Sequence, residues 1–305
     1  MAARATRSAS HKARATEAVA TGPLGALSHD ELGVIVDGLA DPLQPVVAVA
    51  LSSTCLGLRT PLRAVLKVLK ERQARAVALC RKMKMSCVEM RDAEELQWTD
   101  RGLTAADMAT LGTILQTNGL PRLQLIFLGC NGFGDAGVQA LCAGLGPGAA
   151  PSLRIIYLTS NKIGPAGAEA FAGALSRGAM PKLDELELTG NPIGNQGMAA
   201  LAAPVRKLPA LTHLVLFKCE IGDKGLASLV ANLGKDDFKK LESLFLADNY
   251  VTDAGMITLA AALDAGRLTR LRGQTAEFAQ YFLQGNPASA SAIQAVKDAL
   301  AKRSQ

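Results

Sequence analysis

From about residue 93 onward, apolar and polar positions follow one pattern that returns every 28 to 30 residues. The segments starting at Leu123, Leu153, Leu183, Leu211 and Leu241 each place apolar residues at their first, fourth and sixth positions, which predicts a short strand with one face buried. After a turn containing Asn or Cys, each segment passes a Gly and then shows apolar residues at helical spacing. The unit is strand, turn, helix. In the copy from Leu153, the pattern assigns Leu153, Ile156, Leu158 and Ile163 to the core of strand and turn. It assigns Ala168, Phe171 and Leu175 to the buried stripe of a helix that Gly167 allows close to the sheet.

Weaker copies from Leu96 and Phe278 flank these five and make seven in all. The last starts 37 residues after its predecessor, which places an insertion within about Asp264 to Glu277. A unit this small does not bury its own apolar face, so neighbouring units must stack to complete the core. The ninth position is Asn131, Asn161, Asn191, Asn249 and Asn286, with Cys219 in one copy. A side chain that both donates and accepts, repeated at every turn, is expected to pair backbone groups there.

The motif LxxLxLxxN followed by a helix resembles the ribonuclease-inhibitor-like class of leucine-rich repeats over about residues 93 to 301. The resemblance implies an α/β fold: a solenoid with a curved parallel sheet on its concave face and helices on its convex face. It also implies a protein partner, since members commonly grip partners on the concave face. Strand alternation places the fifth position of each copy on that face: Gln97, Phe127, Tyr157, Glu187, Val215, Phe245 and Phe282. Four of these seven are aromatic in a chain with only eight Phe, three Tyr and one Trp.

Together with Phe217, two positions further along its strand, they are expected to form an exposed stripe suited to protein recognition. The expected partner-binding set is Phe127, Tyr157, Glu187, Val215, Phe217, Phe245 and Phe282. The alternative is that strand aromatics merely cover one another along the sheet. Glu94, Glu95, Asp184, Glu185, Glu187, Glu242 and Asp248 share the face with Arg154, His213 and Lys218. That balance favours a partner with basic groups beside an apolar segment and disfavours nucleic acid.

The chain before the repeats reads as two regions. Residues 1–26, rich in Ala, Arg, Ser and Thr, fit a disordered tail, with an organellar transit peptide as the alternative. In residues 27–91, Asp30 is placed to cap a helix bearing Leu32, Ile35, Val36 and Leu39, and Pro42 to start another. The order Leu27, Glu31, Leu32, Ile35, Leu39, Pro42, Leu43, Leu51, Cys55 resembles an F-box. It implies that Leu27, Glu31, Leu32, Ile35, Leu39, Pro42, Leu43 and Leu51 would contact a Skp-type adaptor of a cullin ubiquitin ligase, with the repeats presenting substrate. The other reading is an all-α cap on the solenoid's open end. The expected organisation is thus a tail over 1–26, an F-box-like segment with a basic helix over 27–91, and the solenoid over 92–305.

Charge and composition narrow the function classes. The net charge of +6 is unevenly placed: residues 59–91, with ten Lys and Arg against two acids, carry the largest excess of positive charge. The repeats themselves are nearly neutral. Between Arg59 and Arg91, Leu62, Val65, Leu66 and Leu69 recur at helical spacing, so the basic residues read as the solvated flanks of a buried stripe rather than a nucleic-acid or membrane site. No apolar run is long enough to predict a membrane span or secretory leader. Six cysteines without a CxxC pair suggest reduced thiols in an intracellular, cytoplasmic or nuclear setting.

Three histidines, none at metal-ligand spacing, suggest no metal site, and the Gly-rich stretches lack the lysine of a phosphate-binding loop. Cys142 and Cys219 read as packing residues. The expectation is a non-enzymatic protein without cofactor, monomeric apart from its partners. A rival within the same repeat class is a Ran-type GTPase-activating protein, although the carboxyl end ALAKRSQ lacks the acidic tail typical of those proteins.

Overall fold

The computed structural model describes residues 41–44, 50, 63–271 and 282–302. Helices α1 (Arg63–Lys82) and α2 (Cys87–Asp92) precede the repeats. Strands and helices then alternate: β1 (Glu95–Gln97), α3 (Ala105–Gln116), β2 (Leu125–Phe127), α4 (Gly134–Cys142), β3 (Ile155–Tyr157), α5 (Pro165–Ser176), β4 (Glu185–Glu187) and α6 (Gly194–Arg206). They continue through β5 (His213–Val215), α7 (Asp223–Val230), β6 (Ser243–Phe245) and α8 (Asp253–Asp264), and α9 (Ala290–Ala301) closes the array.

Each strand is only three residues long, yet the six form one parallel sheet in sequence order. Strands this short gain register from the columns of buried leucines on either side of them. Leu96, Ile126, Ile156, Leu186, Leu214 and Leu244 pair in one line and all turn inward. A slip of one residue would put that entire line on the opposite face. The copy from Leu153 follows its expected pattern: Leu153, Ile156, Leu158, Ile163, Ala168, Phe171 and Leu175 are all buried. Successive helices pack on one another behind the sheet and complete the core.

The turn after each strand is held by the expected Asn column. Asn161, fully buried, donates from Nδ2 to the carbonyls of Leu128 and Leu158, both at 2.9 Å. Its Oδ1 accepts from the amides of Asn131 and Gly132 at 2.9 and 3.0 Å. Asn131, Asn191, Asn249 and Asn286 repeat the arrangement. Where Cys219 replaces Asn, the thiol still lies 3.2 Å from the Leu188 carbonyl. A thiol is a weak acceptor, however. The Ile193 amide therefore turns to the Asn191 carbonyl at 2.7 Å, whereas its counterparts Ile163 and Ile221 bond the Asn of the next copy.

Ahead of the repeats, α1 packs on α3 and buries Leu69, Ala76, Leu79 and Cys80, while Val65 and Leu66 are half-buried. The basic residues flank this stripe, and Lys82 Nζ reaches Asp107 at 2.6 Å and the Gly102 carbonyl at 2.7 Å. Pro42 and Leu43 are also buried, and Asp41 pairs with Arg91 of α2. The remaining residues of the F-box-like set, Leu27, Glu31, Leu32, Ile35, Leu39 and Leu51, lie outside the described residues, as does the expected tail. The insertion is described only in part. The seventh copy contributes Asn286 and α9, and its backbone continues the sheet's hydrogen bonding through the carbonyls of Phe282 and Gln284 to the amides of Leu246 and Asp248.

Candidate functional site

With its fourth-position line buried, the sheet leaves its other face open through the third- and fifth-position lines. The fifth-position line runs Gln97, Phe127, Tyr157, Glu187, Val215, Phe245 in strict parallel register. The third-position line beside it runs Glu95, Leu125, Ile155, Glu185, His213, Ser243. Residues separated by 28 to 30 positions in sequence thus become neighbours one strand spacing apart, about 4.8 Å.

The aromatics fall into two pairs. Phe127 and Tyr157 stack with ring centroids 4.7 Å apart and planes within 6° of parallel. Phe217 and Phe245 meet edge to face at 5.4 Å. Phe127 and Tyr157 sit on adjacent strands, Phe217 lies two residues past the end of β5 beside Phe245 of β6, and β4 lies between the pairs with Glu185 and Glu187. The Tyr157 hydroxyl donates to Glu185 Oε1 at 2.7 Å, tying one aromatic pair to the acidic centre. Burial, this bond and the nearby Glu185 and Glu187 charges together push the Tyr157 phenol well above its usual range.

Glu187 is half-buried. Desolvation pushes its carboxyl up, a tendency opposed by the Thr189 amide donating to Oε1 at 2.6 Å and reinforced by the Glu185 charge. Two other acids of the face have basic partners. Arg154 Nε donates to Asp184 Oδ2 at 2.8 Å, and Lys218 lies 3.9 Å from Asp248. Among the described residues no ion pair engages Glu185 or Glu187. The centre of the face therefore keeps net negative charge between two apolar platforms.

The expected stripe is less exposed than strand alternation suggests. Phe127, Tyr157, Glu187, Phe217 and Phe245 are half-buried, but Val215 is only 7% exposed and Phe282 only 5%. Val215 is a short side chain between strands bearing Glu187 and Phe245, so it forms the floor between them. Phe282 belongs to the array's last copy, where the repeat pattern is interrupted. Both are corrections to the expected exposed line.

Two features that position this face escaped the sequence pattern. The residue at the eighth position of each copy is left-handed: Asp100, Cys130, Ser160, Gly190, Lys218, Asp248 and Gly285 all have positive φ, from 52 to 75°. The signal was the high share of Gly, Asp and Ser there. Second, a carboxylate or amide in the first turn of one helix caps the next. Asp135 Oδ1 accepts from the Gly164 and Gly167 amides at 2.6 and 2.9 Å, and Asn195 and Asp223 do the same two and three copies further on.

Buried thiols take no part in this chemistry. Desolvation pushes Cys80, Cys142 and Cys219 up to about 12, so none is a ready nucleophile. Among the described residues no cluster of three His, Cys, Asp or Glu side chains is gathered for a metal, and no helix is long and apolar enough to cross a membrane.

Comparison with known families matches the leucine-rich repeat at residues 127–142, 149–172, 179–202 and 207–230. These four matches coincide with the copies running from β2 to α7, so the chain contains leucine-rich repeats. No curated protein matches the chain.

Proposed function

We propose that this chain is a non-enzymatic scaffold that holds a protein partner on the open, concave side of its leucine-rich repeats. The observation that carries this reading is the open sheet face, on which two aromatic pairs flank the acids of β4, which form no ion pair among the described residues. Solvent alone gives no reason to place half-buried aromatic rings there, whereas protein interfaces favour rigid aromatic anchors. Replacing Tyr157 and Phe245 together with Ala is expected to cost a partner recovered from cell lysate at least about 100-fold in affinity, with the helical circular dichroism unchanged. Unchanged affinity in that variant would refute the reading.

The sharper version, a substrate receptor of a cullin-type ubiquitin ligase, draws on the order of Leu27, Glu31, Leu32, Ile35, Leu39, Pro42, Leu43 and Leu51. The burial of Pro42 and Leu43 favours the alternative of a helical cap, because side chains packed in the protein's own core must leave it to meet an adaptor. We therefore place the plain scaffold first. Deleting residues 27–58 separates the two: loss of co-purifying Skp-type and cullin subunits supports the ligase, and their absence from the full chain at high occupancy rules it out.

A further inference from the structure

The spacing of the face specifies what it holds, provided the scaffold reading above is right. The Phe127–Tyr157 pair is centred between β2 and β3, and the Phe217–Phe245 pair between β6 and the chain two residues past the end of β5. Measured across the strands, the acids of β4 therefore lie one and a half strand spacings from each pair, about 7 Å on either side. In an extended peptide, side chains on one face recur every second residue, about 6.6 Å apart. The two distances agree.

We infer that the face receives an extended peptide segment of a partner protein, laid across the strands, in which a Lys or Arg is flanked by apolar residues two positions before and two positions after it. The apolar side chains would rest on the two aromatic pairs, and the cation would meet Glu185 and Glu187. Charge complementarity favours this occupant: Asp184 and Asp248 already have basic partners, whereas among the described residues the β4 carboxylates have none. A cation arriving beside Tyr157 also lies against the face of a ring, where it gains further attraction. The Tyr157–Glu185 hydrogen bond holds the central acid toward the stacked pair, so apolar and charged contacts are made together.

Peptide display from a random library, selected on the full chain, tests this. The enriched sequences are expected to carry Lys or Arg with apolar residues two positions to each side. A labelled peptide containing Phe-Ser-Arg-Ser-Leu should then bind about tenfold more tightly than one with Glu in place of Arg. It should also bind more tightly than Phe-Arg-Ser-Ser-Leu, which points the cation away from the sheet. The double variant E185Q/E187Q should erase the Arg preference while leaving apolar binding in place.

Enriched peptides that lack a central cation but lose binding when Tyr157 and Phe245 become Ala would overturn the inference and leave the scaffold reading standing. Peptides indifferent to both sets of substitutions, or no enrichment at all, would overturn both.

Discussion

At the scale of single residues, the face and the core make opposite demands, and Glu187 shows it most clearly. Its carboxyl is raised chiefly by desolvation, with Glu185 adding repulsion. The folded chain therefore holds that proton more tightly than the unfolded chain. Stability must fall as pH rises from the ordinary value of 4.5 through the raised folded value, because in that window folding takes up a proton. Glu187→Gln keeps an oxygen for the Thr189 amide and removes the charge, so it should melt higher than wild type at neutral pH and flatten that slope. The same variant should bind cationic peptides less well. A gain in stability coupled to a loss of binding is the mark of a residue kept for function.

Asn161 is the converse, a residue whose whole value is structural. Its side chain satisfies four backbone groups, two of them buried, from its own turn and the preceding one. Asn161→Ala strands them all and should cost about 3 to 5 kcal/mol in urea unfolding. Cys219→Asn should move the other way, by about 1 kcal/mol, by returning an acceptor to the Ile193 amide. No loss from the first change would show that water replaces the side chain.

At the scale of elements, three helix starts depend on the copy before them. Where the first turn holds Asp135, Asn195 or Asp223, the next helix's glycine amide, on Gly167, Gly225 or Gly255, is capped from the neighbour. Where that place is Ala105 or Pro165, the amides of Gly137 and Gly197 bond only their own turn, at the carbonyls of Phe133 and Ile193. The glycine is part of the device: a Cβ on Gly167 would sit 2.5 Å from Asp135 Oδ1 and displace it. Asp135→Ala should therefore cost about 1 to 2 kcal/mol, and Gly167→Ala at least as much. Additive losses in the double variant would show the two act independently.

These caps explain why the fold was more legible than its fine structure. The leucines and Asn131, Asn161 and Asn191 recur with the period of the unit, so one copy forecasts the rest. Asp135 acts on Gly167, 32 residues away, a relation that local helix signals do not express. The face was legible as a line of residues, since parallel register follows from the period. Its exposure was not: Val215 and Phe282 are buried where the period alone places them on the open face.

At the scale of the whole molecule, an array of copies that touch only their neighbours is as strong as its ends, and the amino-terminal end is sealed by α1, α2, Pro42 and Leu43. The clamp between cap and first copy is Lys82 with Asp107. Burial pushes the Asp107 carboxyl up, but its bonds to Lys82 and Thr104 outweigh that and hold it below its ordinary value of 3.8. Its contribution is thus complete above that value and is lost as pH falls through the lower, folded one.

The chain's single Trp, Trp98, lies buried in the first copy, so its fluorescence reports that end of the array while circular dichroism reports helices along the whole array. In Asp107→Asn, and more strongly in Leu79→Ala with its cost of about 2 to 5 kcal/mol, the fluorescence transition in urea should move to lower concentration than the dichroism transition. The separation should be small in wild type, because the cap still couples the first copy to the rest. Transitions that stay coincident in both variants would mean that the cap and the array unfold as one body, and that the end seal stabilises every copy alike.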